Sequence, residues 1–416
     1  MPIVLHSRSV SAKVMNGSSP QEQVRTCLYC GKQKPLAELS LEHIFPQRLG
    51  GAMCSELFKT RDVCQRCNNI LGAFVDGTFI KSWFVTNAEA LASQQYLDIA
   101  SPNSISPLMY MGILNGLNLP ADEICEMWVG PCGCHFYHMH QRDDTRWDTY
   151  AGGNPMERYS DPGRVYVAFT TNHPQWVMLT LRSLKANFPR ATRYACNLGF
   201  SEESAPQDFV VPLTAEAQRE VDLINALPAQ RQMNVPMNVA FEYRFLAKLA
   251  LALGYKILGS RFLETSYAGH LRAALWEKDY AARANIPLRG SGFLSGAADT
   301  TAEFLAWPGA YMIRFHIIGS DFVLSLQLPS GTKIMHLVMA DEPNLWQGKG
   351  FEPYRNGVLY LMLPQLARFV GPIGLPEYVV HRTNIARIAE LADLERHRID
   401  PATLPPCRPA EAEHNA

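Results

Sequence analysis

The stretch LSLEHIFPQRLGG, residues 39–51, lies between two cysteine pairs, Cys27-Leu-Tyr-Cys30 and Cys64-Gln-Arg-Cys67. Each pair is spaced to bend the backbone into a knuckle whose two sulfurs meet one ion. Together the four thiolates read as a tetrahedral Zn2+ site, with redox dithiols or chance spacing as the alternatives. Four protein ligands leave no open position, so Cys27, Cys30, Cys64 and Cys67 are expected to hold the fold and take no part in catalysis. The 33 residues between Cys30 and Cys64 exceed a small zinc ribbon, so the loop has room for a site of its own. Cys54, unpaired, reads as a small buried residue.

Within the loop, Leu39, Leu41, Ile44 and Phe45 predict a short strand whose end presents Glu42 and His43. Pro46 stops regular pairing, and Gly50-Gly51 makes a turn that a side chain would obstruct. A neighbouring carboxylate and imidazole point in different directions on extended backbone. That arrangement suits a division of labour in which one holds a metal and the other activates water. A helix starting near Cys67 would place Asn68 and Asp76 two turns apart on one face, with Gly72 between them. Each residue also has a plainer reading: His43 as a structural histidine, Glu42 as a surface acid, Asn68 as a helix cap, Asp76 as a helix-face acid.

The run CLYCG, LEHIFPQRLGG, VCQRCNNILG and VD resembles the zinc-stapled HNH endonucleases, in particular the subgroup whose motif ends in Cys-Asn. The resemblance covers about an eighth of the chain. It implies a ββα-metal module, two strands and a helix around one divalent cation. By position His43 matches the general base, Glu42 the metal ligand before it and Asn68 the final ligand on the helix. One departure stands out. Where many members place a bracing asparagine before the second cysteine pair, this chain reads Phe58-Lys59-Thr60-Arg61-Asp62, and Thr60 is the candidate substitute.

The chemistry follows from the residue types. Phosphodiester hydrolysis needs an activated water, stabilisation of phosphoryl charge and help for the leaving oxygen. An imidazole with a pKa of about 6.5 accepts a proton at neutral pH. Hard oxygen ligands from Glu42 and Asn68, with Asp76 as a candidate third, suit Mg2+ or Mn2+. Arg48, Lys59, Arg61 and Arg66 would clamp flanking phosphates, unless they are plain surface residues. The expected function is a metal-dependent endonuclease acting on DNA, with defence against foreign DNA as one role. A silent zinc module that binds nucleic acid or protein, and an RNase using the same site, are the alternatives. Cleavage of both strands by a single-site enzyme is most simply explained by a homodimer.

The chain of 416 residues carries a net charge of -1, so any basic surface must be local. Between Arg25 and Lys81 there are eight basic side chains against five acidic ones. No run of about 18 apolar residues predicts a membrane span, and the N-terminus has no convincing export signal, so we read the protein as cytoplasmic, without a membrane partner. In that setting the cysteines favour metal ligation over disulfides.

The expected class is α+β: a small zinc-stapled ββα-metal module on a larger mixed α+β body with an antiparallel sheet. Residues 1–25 read as a tail, 26–98 as the nuclease domain with a helix from Val75 to Leu97, and SPNSISP (101–107) as a linker. Residues 108–235 form a mixed region, with strands at 135–141, 165–170 and 176–181 and a helix at 214–227 capped by Thr214. Residues 236–382 hold a helix pair (242–258 and 265–284, with Arg272 and Lys278 solvated) and an antiparallel sheet, as an accessory region. Residues 383–416 are a charged helical tail. CEMWVGPCGCHFYHMH (125–140) concentrates Cys125, Cys132, Cys134, His135, His138 and His140. On a strand His138 and His140 share a face opposite His135. A turn followed by edge-strand polar residues is the default reading, and a second metal site the alternative. The body has no phosphate-binding glycine loop, dinucleotide fingerprint or nucleophile elbow.

Overall fold

The computed structural model describes residues 23–142, 163–197, 208–228, 231–235, 241–292, 300–331, 334–348 and 350–407. The tail expected over residues 1–25 falls almost wholly outside them, as do residues 408–416.

The N-terminal module opens with a hairpin, β1 (Val24–Thr26) against β2 (Gln33–Pro35), which carries the first cysteine knuckle in its turn. β3 (Leu39–His43) pairs antiparallel with β4 (Lys59–Cys64), and α1 (Gln65–Leu71) follows directly. These two strands and helix are the ββα arrangement the sequence implies. A register shift between Ser40 and Glu42 leaves Leu41 unpaired and exposed, while Glu42 turns inward. After Pro46 the chain turns through Gly50 (φ 105°), and Gly51 passes so close to Phe45 that a Cβ would sit 1.7 Å from its carbonyl oxygen. The helix expected over 75–97 is interrupted. Gly72–Asp76 is a π-turn, α2 (Gly77–Ile80) is a single turn, and Ser82 caps a new helix, α3 (Trp83–Ser93), by accepting from Val85 N–H. A serine hydroxyl that satisfies the next helix's N-terminus ends the one before it.

The middle region contains β5 (Met109–Leu114), β6 (Glu123–Val129), β7 (His135–Gln141), β8 (Arg164–Ala168), α4 (Pro174–Asn187), β9 (Thr192–Ala195), α5 (Ala215–Asn225) and β10 (Met233–Asn234). Its sheet runs β10-β5-β6-β7-β8-β9, antiparallel except for β8 and β9, which are parallel and joined through α4. The strand expected at 176–181 is therefore wrong: it lies inside α4. Pro174 presets the first turn, and Trp176, Thr180, Ser183 and Leu184 are buried at helical spacing, which overrides a local β propensity. Thr214 caps α5 as expected, accepting from Ala217 N–H at 3.1 Å. Cys132 is not a metal ligand but forms a disulfide with Cys407, against the expectation that the cysteines favour metal ligation over disulfides.

The body contains α6 (Phe241–Leu258), α7 (Ser266–Trp276), α8 (Tyr280–Ala284), β11 (Gly290–Ser291), α9 (Thr300–Leu305), β12 (Tyr311–Ile318), β13 (Asp321–Gln327) and β14 (Ile334–Ala340). It continues through α10 (Glu352–Asn356), β15 (Val358–Leu363), β16 (Arg368–Gly374), α11 (Leu375–Arg382) and α12 (Ala389–Arg396). The antiparallel sheet runs β11-β14-β13-β12-β15-β16. The second helix of the expected pair stops at Trp276, and Asp279 caps the short α8 after it. The class is α+β.

Buried residues of the N-terminal module and of the body form one continuous apolar cluster. Phe79 stacks on Phe245 of α6 at 3.7 Å between ring centroids, while Phe45 and Phe58 meet Tyr311 and Tyr360 edge-on. Arg272, expected in solvent, is half-buried and donates to Leu28 O, and Trp276 Nε1 donates to Tyr29 O. Both hold the first knuckle. Lys278 is exposed, as expected.

Candidate functional site

The sulfurs of Cys27, Cys30, Cys64 and Cys67 all lie within 4.8 Å of one another, and all but Cys30 are buried. The turn that gathers the first pair is closed by Gly31 N–H on Cys27 O, with Gly31 at φ 69°. Cys64 N–H points at Cys27 Sγ at 3.4 Å, a donor suited to a thiolate. The Cys67 side chain, its largest influence, holds the Cys27 thiol down to about 4, while Cys67 itself is pushed far up. Cys27 and Cys67 thus compete for a proton, and a dication bound by four thiolates would take the place of thiol protons. The donor set and spacing fit structural zinc. Cys54 is buried apart from this cluster, with Sγ on Gly50 O, and burial pushes its thiol up to about 12.

Glu42 sits at the inner face of β3 and is only 3% exposed. Lys248 of α6, fully buried, places its ammonium 2.8 Å from Glu42 Oε1 and 2.6 Å from Asp76 Oδ2. Tyr29 O–H donates to the same Glu42 oxygen at 3.3 Å. Asp76, on the π-turn, is thus a buried partner of Lys248 and not an open helix-face acid. Burial raises its carboxyl to about 6 against the pull of Lys248. Burial alone would lower Lys248, but the two carboxylates outweigh it and hold the ammonium above the usual lysine range. Two acids against one base leave the cluster with a net negative charge when both are ionised.

His43 ends β3, half-buried, with Gln47 Nε2 2.9 Å from its Nδ1. Burial first, and then the Lys59 ammonium opposite it on β4, lowers its pKa below the usual imidazole value. A neutral ring at pH 7 is a base ready to accept a proton. Asn68, on α1, reaches back to β3, where its Nδ2 donates to Ser40 Oγ and Leu41 O, both at 3.0 Å. The structure therefore brings Asn68 to the residue just before Glu42, though no hydrogen bond joins Glu42, His43 and Asn68 to one another. Thr60 pairs with Glu42 in the hairpin, but its hydroxyl accepts from Asp62 N–H and braces β4 alone.

Of the four basic residues, Arg48, Arg61 and Arg66 are exposed. Arg48 stands 4.0 Å from buried Glu89, and Lys59 stands 3.6 Å from Glu56. Arg61 and Arg66 make no ion pair among the described residues.

Two side-chain oxygens on these residues are left without the contacts described above. Glu42 keeps Oε2 because Lys248 and Tyr29 both engage Oε1, and Asn68 keeps Oδ1 because its amide nitrogen is committed to β3. Lys248 and Tyr29 act on Glu42 as outer partners that fix its orientation. Neither was singled out in the sequence. The signal was there for Lys248, a lone cation within the apolar run FLAKLALAL, which a buried helix tolerates only opposite an acid.

Residues 27–84 match the family model described as HNH endonuclease. No curated protein and no solved structure matches the chain. The match spans the knuckles, the β3–β4 hairpin and α1, with the four cysteines grouped as a zinc-stapled module requires, so residues 27–84 of this chain are an HNH endonuclease module.

Proposed function

We propose that this module hydrolyses DNA phosphodiester bonds with His43 as general base and Glu42 and Asn68 holding a divalent cation, Mg2+ or Mn2+. The observation that carries the reading is the way β3 and α1 converge. A neutral, solvent-reachable imidazole and a carboxylate lie on adjacent residues of the β3–β4 hairpin, and the Asn68 amide of α1 is tied back to the same strand. His43 takes the proton of the attacking water, and its lowered pKa keeps it unprotonated at neutral pH. Glu42 and Asn68 present oxygens oriented by Lys248, Tyr29 and the β3 backbone. The cation, when bound, supplies charge for the scissile phosphate and the departing oxygen. Arg48, Arg61 and Arg66, exposed on the same module, and Lys59 beside His43 bind flanking phosphates. Asp76 stays behind the site as the partner of Lys248. Cys27, Cys30, Cys64 and Cys67 hold zinc. Cleavage of both strands calls for a second copy of the chain.

Lys248 favours a second reading. A fixed ammonium on Glu42 competes with a dication, and if it prevails the module is a silent zinc-stapled binding unit. Plasmid DNA, and in parallel a structured RNA, is incubated with the purified chain and Mg2+ or Mn2+, beside His43→Ala with its zinc content verified. Metal-dependent cleavage lost in the variant supports the enzyme, and the better-cut polymer identifies the substrate. No cleavage of either under any metal leaves the silent module.

A further inference from the structure

Outside the residues that form the nuclease module, β6 and β7 place Glu126, His138 and His140 on one face of the middle sheet. Glu126 is directly opposite His138, and His140 is two residues further on the same side. Glu126 Oε2, His138 Nδ1 and His140 Nε2 lie within 4.8 Å of one another, with Oε2 3.8 Å from His138 and 3.4 Å from His140. Two ligands each about 2.1 Å from one ion at a near-tetrahedral angle would be separated by about 3.4 Å. Glu126 and His140 are 2% and 6% exposed.

The surroundings orient all three toward one point. His140 Nδ1 is 2.8 Å from the carbonyl of Gln141, which only accepts, so Nδ1 carries the proton and Nε2 faces the carboxylate. Tyr110 O–H donates to Glu126 Oε1 at 3.2 Å, while Oε2 faces the imidazoles. The two rings stack with centroids 4.5 Å apart, and Phe188 closes over His138 at 4.8 Å. Gly163 lies so near that a Cβ would meet His138 Nε2 at 2.9 Å. A carboxylate oxygen that faces two imidazole nitrogens at this range calls for a cation between them, either a bound metal ion or a proton on a ring.

We propose that Glu126, His138 and His140 bind a divalent transition-metal ion of the zinc and iron class, at a site separate from both ions of the nuclease module. Two imidazoles and one carboxylate select such ions over Mg2+ or Ca2+, and three protein ligands leave positions open to water or a small anionic ligand. The inference does not depend on the nuclease reading.

The full chain, with its tetrathiolate zinc retained, is stripped of weakly bound metal and titrated with Co2+. This site should take one ion with a visible d–d absorption, in addition to any held by Glu42 and Asn68, and two exchangeable imidazole N–H protons should move to strongly shifted NMR positions. Both signals should persist in a Glu42→Gln/Asn68→Ala background. Tyr110→Phe should weaken Co2+ about 10–100-fold, as loss of an outer partner does, and Glu126→Gln should weaken it further. Melting curves verify that each variant is folded. If folded wild-type chain shows no shifted imidazole protons, or Glu126→Gln binds Co2+ as wild type does, the cation in the cluster is only a proton and the metal site is refuted. The wild-type spectrum decides the matter even if a variant fails to fold.

Discussion

The lowered pKa of His43 has two causes that sequence spacing could not supply: the burial of its strand end and the ammonium of Lys59 across the hairpin. Both lower its pKa, so the acid limb of kcat/KM against pH should fall below the ordinary imidazole value of about 6.5. Lys59→Met removes the second cause and should move that limb to higher pH, whereas a limb that does not move would detach Lys59 from the base. His43→Ala should lower kcat by about 10²–10⁴-fold. The motif residues were legible because the family pattern fixes them by spacing. Lys248 lies some two hundred residues away, and only the fold shows that it meets Glu42 and Asp76. Lys248→Met would strand two buried acids and should cost about 3–5 kcal/mol in urea unfolding, and adding Asp76→Asn should recover part of that loss. The sign with pH follows from the raised carboxyl. Asp76 titrates near 6 when folded and about 3.9 when unfolded, so its stabilising contribution is full below about pH 4 and is lost as pH rises through 6. Wild type should therefore gain stability relative to Asp76→Asn on going from pH 7 to pH 5.

At the scale of elements, the strand–turn unit that presents Glu42 and His43 depends on one glycine. Gly51 N–H bonds Pro46 O, and its α-carbon faces the Phe45 carbonyl so closely that no side chain fits. Gly51→Ala must push the turn off β3, and the clash is with backbone, which cannot rotate away. We expect a loss of stability of about 1–3 kcal/mol, and cleavage should fall by more than the folded fraction does, as measured by parallel denaturation and plasmid assays. This turn was legible because Pro and paired Gly are direct statements about backbone. The 176–181 segment misled for the opposite reason: Trp, Val, Met, Leu and Thr describe a strand in isolation, and only Pro174 before it and the burial spaced at three and four residues reveal the helix. The break at Ser82 was equally hidden, since one capping hydroxyl divides an apolar run that reads as a single helix.

For the whole molecule, the nuclease module is an outer layer of the body's own core, not an appended bead. Its apolar residues share one cluster with α6, α7 and the β12–β15 sheet, and Arg272 and Trp276 grip the first cysteine knuckle. Composition could not show this, because an apolar residue carries no record of its partner. Two staples of different chemistry follow, and they should be separable. Cys64→Ser, or a strong chelator at neutral pH, removes the ion that organises the knuckles, and through the shared core it should lower the melting temperature of the body as well. A module that melts alone while the body's transition stays in place would refute the shared core. The Cys132–Cys407 bridge acts elsewhere, tying β7's entry turn to the C-terminal segment across 275 residues, where Trp176 Nε1 also bonds Pro405 O. Chain entropy puts such a bridge at about 5 kcal/mol at most. Cys407→Ser should therefore lower global stability without altering the zinc content or the pH profile of cleavage. A change in either would mean that the middle region and the nuclease module communicate, and α3, whose Asn87 bonds the Tyr110 backbone of β5, is the contact that joins them.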